Sequence, residues 1–203
     1  MEPIVAPLAA LLLGYALGSI PFGILLTRLG GAGGLRKIGS GNIGATNVLR
    51  TGHKGLAAAT LLLDMAKGTA ALLLADWLFP GTAQLAAIGA MVGHLWPVWL
   101  RFAGGKGVAT YVGVVLGFVL ADGLAAWVPA AYAATWIGAL LATRYSSLGG
   151  LAAALVSPFA AALAGRFDLA LLFLGFTLLV FWKHRENIGR LFAGTEPRVG
   201  RSG

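Results

Sequence analysis

Seven apolar segments, at roughly 4–27, 56–79, 83–100, 108–121, 124–142, 147–164 and 168–182, take up most of a chain of 203 residues. No other feature limits the fold so strongly. A hydrocarbon core about 30 Å thick needs about 20 helical residues at 1.5 Å rise each, and most of the segments approach that length. The expected class is all-α: a polytopic integral membrane protein of seven transmembrane helices, read as one domain over residues 1–203. The fourth segment reaches only about 21 Å, so five spans plus re-entrant segments is the alternative. Composition agrees, with 58% hydrophobic and 11% charged residues against about 25% charged in soluble domains. The first segment lacks a basic n-region and is longer than a signal h-region, so it reads as a retained span.

The charges test this topology. Alternating sides puts Arg28, Arg36, Lys37, Arg50, Lys54, Arg101, Lys106, Arg144, Lys183, Arg185, Arg190, Arg198 and Arg201 on one side, 13 of the 15 basic residues. Glu2, Asp76, Asp122 and Asp168 fall on the other, with Arg166. By the positive-inside rule the N-terminus is outside and the C-terminus cytoplasmic. The net charge of +8 follows from that rule and gives no reason to expect a nucleic-acid partner. Asp64 and Lys67 lie inside the second segment, three apart and able to pair. They are either a functional site or a structural lock. The Gly14/Gly18, Gly89/Gly93 and Gly113/Gly117 pairs have the spacing of close helix packing.

The polar stretches gather on the expected cytoplasmic side. The first, KIGSGNIGATNVLRTG, carries Ser40, Gly41, Asn42, Thr46, Asn47 and Arg50. The second, GHLWPVWLRFAGGKGVAT, carries Gly104, Gly105, Lys106 and Gly107 ahead of an apolar helix. The third, KHRENIGRLFAGTEP, carries His184, Asn187 and Gly189, and a smaller turn carries Ser146 and Ser147. Glycine amides at a helix N-terminus beside a lysine suit an anion. A glycine hinge and a snorkelling lysine would give the same letters, and the Walker spacing is absent. Arginine's fork suits phosphate oxygens, and Ser, Thr and Asn suit a phosphate or a polyol. His184 and Asn187, three apart, share a helix face. The histidine suits a base, a donor or an orienting group, or a helix cap.

Other chemistries are excluded. Without cysteine there is no disulfide, thiolate metal site or cysteine acyl-enzyme. Only Glu186 and Glu196 are acidic on the cytoplasmic side, too few for a magnesium cage, so no metal and no cofactor are expected. His53, His94 and His184 are followed five residues on by Ala58, Trp99 and Gly189, which excludes an acyltransferase with a His-x4-Asp dyad. The residues by themselves describe a cationic, Gly-lined cytoplasmic pocket for phosphorylated ligands at a bilayer.

The three clusters, in that order, together with D-x-x-K-G in the second segment, resemble the bacterial acyl-phosphate:glycerol-3-phosphate acyltransferases over the whole chain. Departures are Trp96 and Trp99 where phenylalanine is common, Arg101 for lysine, and Ala103 for a basic residue. The resemblance implies an enzyme of the bacterial cytoplasmic membrane. It would transfer an acyl group from acyl phosphate to the 1-hydroxyl of sn-glycerol 3-phosphate, giving lysophosphatidic acid and phosphate. That is the first acylation of phospholipid biosynthesis, without acyl-CoA or acyl carrier protein. It also implies that Ser40, Arg50, Lys106, His184 and Asn187 carry the active site. Arg50 and Lys106 would meet phosphate oxygens, Ser40 would hold a substrate phosphate, and Asn187 and the glycines would grip glycerol phosphate. Ser146 and Ser147 follow from topology.

Two phosphates of about −2 each at about 5 Å repel by about 13 kcal/mol at an effective dielectric near 20, so such a pocket needs fixed cations and dipoles. For the hydroxyl proton two routes stand open, His184 as base or the acyl-phosphate oxygens with His184 orienting. The scarcity of carboxylates favours the second. An acyl-Ser40 intermediate has no base beside the serine to support it. A transporter of a phosphorylated metabolite is the competing function, suggested by Asp64 and Lys67 and opposed by the one-sided clusters and the lack of an inverted repeat. A headgroup-binding scaffold is a third class, since so many basic residues attract anionic lipid.

Overall fold

Apolar sequence, broken where Pro and Gly demand it, gives ten α-helices in the computed structural model, which describes residues 4–200. Glu2 and Arg201 lie outside the described residues. The chain forms two compact units, Met1–Gly123 and Leu124–Gly203.

The first unit holds α1 (Val5–Gly18), α2 (Phe22–Leu29), α3 (Ala45–Leu49), α4 (Lys54–Leu78), α5 (Ala83–Leu95) and α6 (Val108–Asp122). The first apolar segment reads as one helix from sequence but is two. Pro21 has no N–H to give and disfavours helical geometry at Ile20, so α1 stops and α2 restarts. The break takes the Ile20 carbonyl out of the helical ladder; it accepts from the Phe22 amide at 3.1 Å and from Lys67 on α4 at 2.8 Å. Lys67 also pairs with Asp64 at 2.7 Å, and both are buried. The intramembrane pair is thus a lock between α4 and the α1–α2 break. The third segment is also interrupted: α5 ends at Leu95, and a separate 3-10 turn, Val98–Leu100, follows Pro97.

The spaced glycines are packing sites. Gly14 and Gly18 lie against the backbone of Ala86 and Ala90, and Gly89 and Gly93 against that of Leu11 and Tyr15. A Cβ at any of the four would strike a carbonyl, so α1 and α5 touch backbone to backbone. Gly68 meets the Thr110 carbonyl, and Gly113 meets that of Met65, to the same effect between α4 and α6. Without a hydrophobic drive between helices in lipid, this close approach is what holds them.

The second unit holds α7 (Trp127–Thr143), α8 (Ser146–Leu163), α9 (Phe167–Lys183) and α10 (Arg185–Phe192). Gly149 sits against Trp136, and Thr177 Oγ1 donates to the Ala154 carbonyl at 2.6 Å, tying α9 to α8. Leu141, Leu163 and Leu171 are exposed, as expected of lipid-facing surface. α9 and α10 meet at a 61° bend.

All seven apolar segments are helical. Among the described residues, four stretches (Val5–Leu29, Lys54–Leu78, Ala83–Leu100 and Ser146–Leu163) are long and apolar enough to cross a membrane, and a fifth if the bent α9–α10 pair counts as one. α6 and α7, at 15 and 17 residues, are shorter than a full crossing.

Candidate active site

The first unit brings together the first two polar clusters. The opening loop is organised from within by Asn47, which is buried. Its Nδ2 donates to the carbonyls of Leu35 at 3.0 Å and Asn42 at 2.8 Å, and its Oδ1 accepts from the Ser40 amide at 3.3 Å. The expected substrate ligand Asn47 is therefore spent as the loop's internal brace. Asn42 likewise turns its Oδ1 to the Gly44 amide at 3.0 Å. Gly39 and Gly41, at φ 55° and 67°, adopt the left-handed conformation that a side chain resists, and they carry the exposed Ser40 between them. The Arg50 side chain lies over Gly39, where a Cβ would meet its Cδ at 2.8 Å. Ser40 and exposed Arg50 thus share one corner. Thr46 is half-buried in α3.

The second cluster folds onto α5. The Gly105 amide donates to the His94 carbonyl at 3.0 Å. Gly104 and Gly105 press against His94 and Pro97 so closely that no Cβ fits at either. Gly107, at φ 85°, is the N-cap of α6. Half-buried Lys106 therefore sits in the turn that enters the positive end of a 15-residue helix. His94 Nδ1 lies 3.8 Å from Asp64 Oδ1, so the buried lock reaches the floor of this loop. Arg36 Nη2 donates to the Ala103 carbonyl at 2.7 Å, joining the Ser40–Arg50 loop to the one that carries Lys106. No local pattern signals that bond, because Arg36 reads as one more interfacial cation.

The second unit holds the third cluster. Buried His184 stands at the α9–α10 bend, and its Nδ1 meets the Val180 carbonyl at 2.8 Å. A carbonyl only accepts, so the proton of a neutral ring is on Nδ1 and Nε2 is the acceptor. His184 is a helix cap and is also in the tautomer a base would need. Asn187 and Ser147 turn toward a residue not expected in the site. Asn187 Nδ2 donates to Glu196 Oε1 at 2.6 Å, Ser147 Oγ to the same oxygen at 2.7 Å, and Arg190 Nε to Oε2 at 2.7 Å. Ser147, expected to meet substrate, is a buried tie to this carboxylate. The tail beyond it folds back as well, with the Val199 amide donating to the Arg144 carbonyl at 2.8 Å. Ser146 opens α8 half-buried, while Gly189 on α10 is exposed with nothing against it. The available signal for Glu196 was its rarity: a lone carboxylate among cationic and amide donors draws them in.

Burial raises the pKa of Glu196, but hydrogen bonds from Ser147, Asn187 and Arg190, with the Arg190 charge, outweigh it and hold the carboxyl below the ordinary 4.5. The folded state therefore resists protonation, and the network's stabilisation is complete above about pH 4.5 and lost as pH falls through the lowered folded value. Wild type and Glu196→Gln should differ in thermal unfolding at neutral pH and converge as pH falls below that point. A gap that stays constant down to pH 3 would mean the carboxylate's charge is not what the network uses.

A family model described as glycerol-3-phosphate acyltransferase matches residues 8–194. The chain is 56% identical over 195 residues to a glycerol-3-phosphate acyltransferase of Mesorhizobium japonicum, covering 96% of each chain. It is 57% identical over 197 residues to one of Rhodopseudomonas palustris, covering 95% of this chain and 96% of that one. Among solved structures it is similar to the crystal structure of PlsY (YgiH), an integral membrane glycerol 3-phosphate acyltransferase, in its glycerol 3-phosphate form, with a TM-score of 0.85 at 35% identity over 96% of each chain. The lysophosphatidic acid form of that protein gives 0.82 at 33% identity over 96% of this chain and 95% of that one.

Proposed function

We propose a reaction from one premise: the chain belongs to the glycerol-3-phosphate acyltransferase family. It is a multi-pass membrane protein and an acyltransferase. In the proposed reaction the 1-hydroxyl of sn-glycerol 3-phosphate attacks the acyl carbon of a membrane-dissolved acyl phosphate. The new ester C–O bond forms and the bond from acyl carbon to phosphate oxygen breaks. The phosphate leaves with the electron pair and takes the hydroxyl proton, and the products are lysophosphatidic acid and inorganic phosphate.

Most support comes from the Arg36–Ala103 bond, which makes one assembly of the two loops bearing Arg50 and Lys106. Arg50 and Lys106 hold phosphate oxygens and the developing charge, and the Gly104 and Gly107 amides and the positive end of α6 add fixed dipoles, the Gly105 amide being held by the His94 carbonyl. Ser40 holds a substrate phosphate. Asn187, its amide fixed in orientation by Glu196, grips glycerol phosphate, and His184 orients it. Residues 1–203 work as one acyltransferase domain in the bacterial cytoplasmic membrane, N-terminus outside, polar loops and C-terminus in the cytoplasm.

The test is turnover of purified protein in lipid vesicles with palmitoyl phosphate and glycerol 3-phosphate, with palmitoyl-CoA in a parallel tube. Phosphate release matching lysophosphatidic acid, with acyl phosphate alone, is the expected result; equal turnover with acyl-CoA would remove the donor assignment. His184→Ala should lose turnover through misplacement of substrate, retaining a residue of activity at every pH. An acidic limb that disappears from the pH profile would instead make His184 the base.

A further inference from the structure

We propose that the cavity beside the end of α2 binds the phosphate headgroup of an anionic phospholipid. The cavity is about 330 Å³, and its lining includes Arg28, Arg36 and Arg101 with Ile24, Trp99 and Leu100. The three arginines come from separate segments: the last turn of α2, the 3-10 turn Leu35–Lys37, and the residue that ends Val98–Leu100. Their convergence is therefore made by the fold and is not a run of like charge in the sequence.

Among the described residues no carboxylate lines the cavity, and neither Arg28 nor Arg101 enters an ion pair. An anion supplies the countercharge, and guanidinium forks suit phosphate oxygens. Ile24, Leu35, Trp99 and Leu100 give the wall an apolar part, and the Thr27 hydroxyl on it is turned to the Gly23 carbonyl at 2.7 Å; a free inorganic ion would not use that apolar part and a glycerolipid would. The level is also right for a headgroup. α2 closes an apolar stretch, Leu29 at its end is 86% exposed, and Trp99 and Phe102 are 54% and 59% exposed, as in an interfacial aromatic belt. The backbone there is held under strain. Arg101 and Phe102 are consecutive non-glycine residues at φ 52° and 61°, a left-handed conformation that side chains resist and that is found where a site fixes a side chain's direction.

Arg36 reaches the cavity and the Ala103 carbonyl, so a bound headgroup also braces the loop that carries Lys106. That consequence rests on the proposed function; the binding itself does not.

Trp99 is the reporter. Protein in phosphatidylcholine vesicles receives phosphatidylglycerol or phosphatidylcholine brominated near the headgroup, and Trp99 quenching is the wild-type signal minus that of Trp99→Phe. Quenching should be greater with the anionic lipid. That preference should fall by about fivefold for each arginine lost in Arg28→Gln and Arg101→Gln. It should persist in the Arg28→Lys/Arg101→Lys double variant, which keeps the charge and controls for folding. Lys54→Gln, at an exposed cation outside the cavity, should leave it unchanged. Equal quenching by the two lipids overturns the proposal. So does an equal loss in Lys54→Gln, which would mean diffuse surface attraction only. Abolition by soluble inorganic phosphate would assign the cavity to free anions instead and overturn the lipid assignment.

Discussion

Arg50→Ala is expected to lower turnover by about 100- to 1,000-fold, the usual effect of removing one donor aimed at developing charge, while unfolding temperature and membrane insertion stay as in wild type. The stability half follows from its surroundings. Arg50 is exposed and rests on Gly39, whereas the loop is held by Asn47 and the Arg36–Ala103 bond. Steady-state kinetics separate two roles. A raised KM with unchanged kcat means Arg50 holds the substrate phosphate equally in ground and transition states; a fall in kcat means it meets charge that appears only during transfer. Arg50→Lys keeps a charge but not the bidentate fork, so it should recover only part of the loss. Wild-type kcat/KM in a folded Arg50→Ala would remove the residue from the site.

The second large effect is on stability. Asp64→Ala leaves the Lys67 ammonium buried without its 2.7 Å partner, and breaking a buried pair from one side costs about 3–5 kcal/mol. Replacing both, as Asp64→Leu/Lys67→Met, removes the stranded charge but leaves the Ile20 carbonyl, which Lys67 serves at 2.8 Å, without that donor. The Phe22 amide still serves that carbonyl at 3.1 Å, so the double variant should recover most of the loss and keep a deficit of about 0.5–1.5 kcal/mol, the net worth of one hydrogen bond. Reversible unfolding in detergent measures both. If the single and double variants are equally destabilised, the pair is not coupled and the lock is the wrong description.

What the sequence made legible was what depends on period and class of residue. The apolar segments became helices, and five of the six glycines at spacing four became backbone contacts, Gly117 meeting the Leu72 side chain instead, because both follow from what lipid permits. The breaks were half legible. Pro21 and Pro97 stand in plain view, yet the surrounding apolar letters read through them. In a long hydrophobic run, a single residue that cannot donate outweighs its neighbours. Long-range polar bonds were hidden. Lys67 finds a carbonyl 47 positions away, Arg36 one 67 positions away, and Glu196 a serine 49 positions away. Nothing local encodes such pairs. Asn47 shows the remaining difficulty: an amide in a Gly-rich loop suits a substrate and the loop's own backbone equally well, and only burial shows that the backbone has it.

The Glu196 network has a consequence for how the protein is made. Its partners Ser147, Asn187 and Arg190 all precede Glu196 in the chain. Synthesis runs from the N-terminus, so the helices of the second unit leave the ribosome before the carboxylate that fastens them. A nascent chain paused before Glu196 would hold helices that are made but not yet fastened.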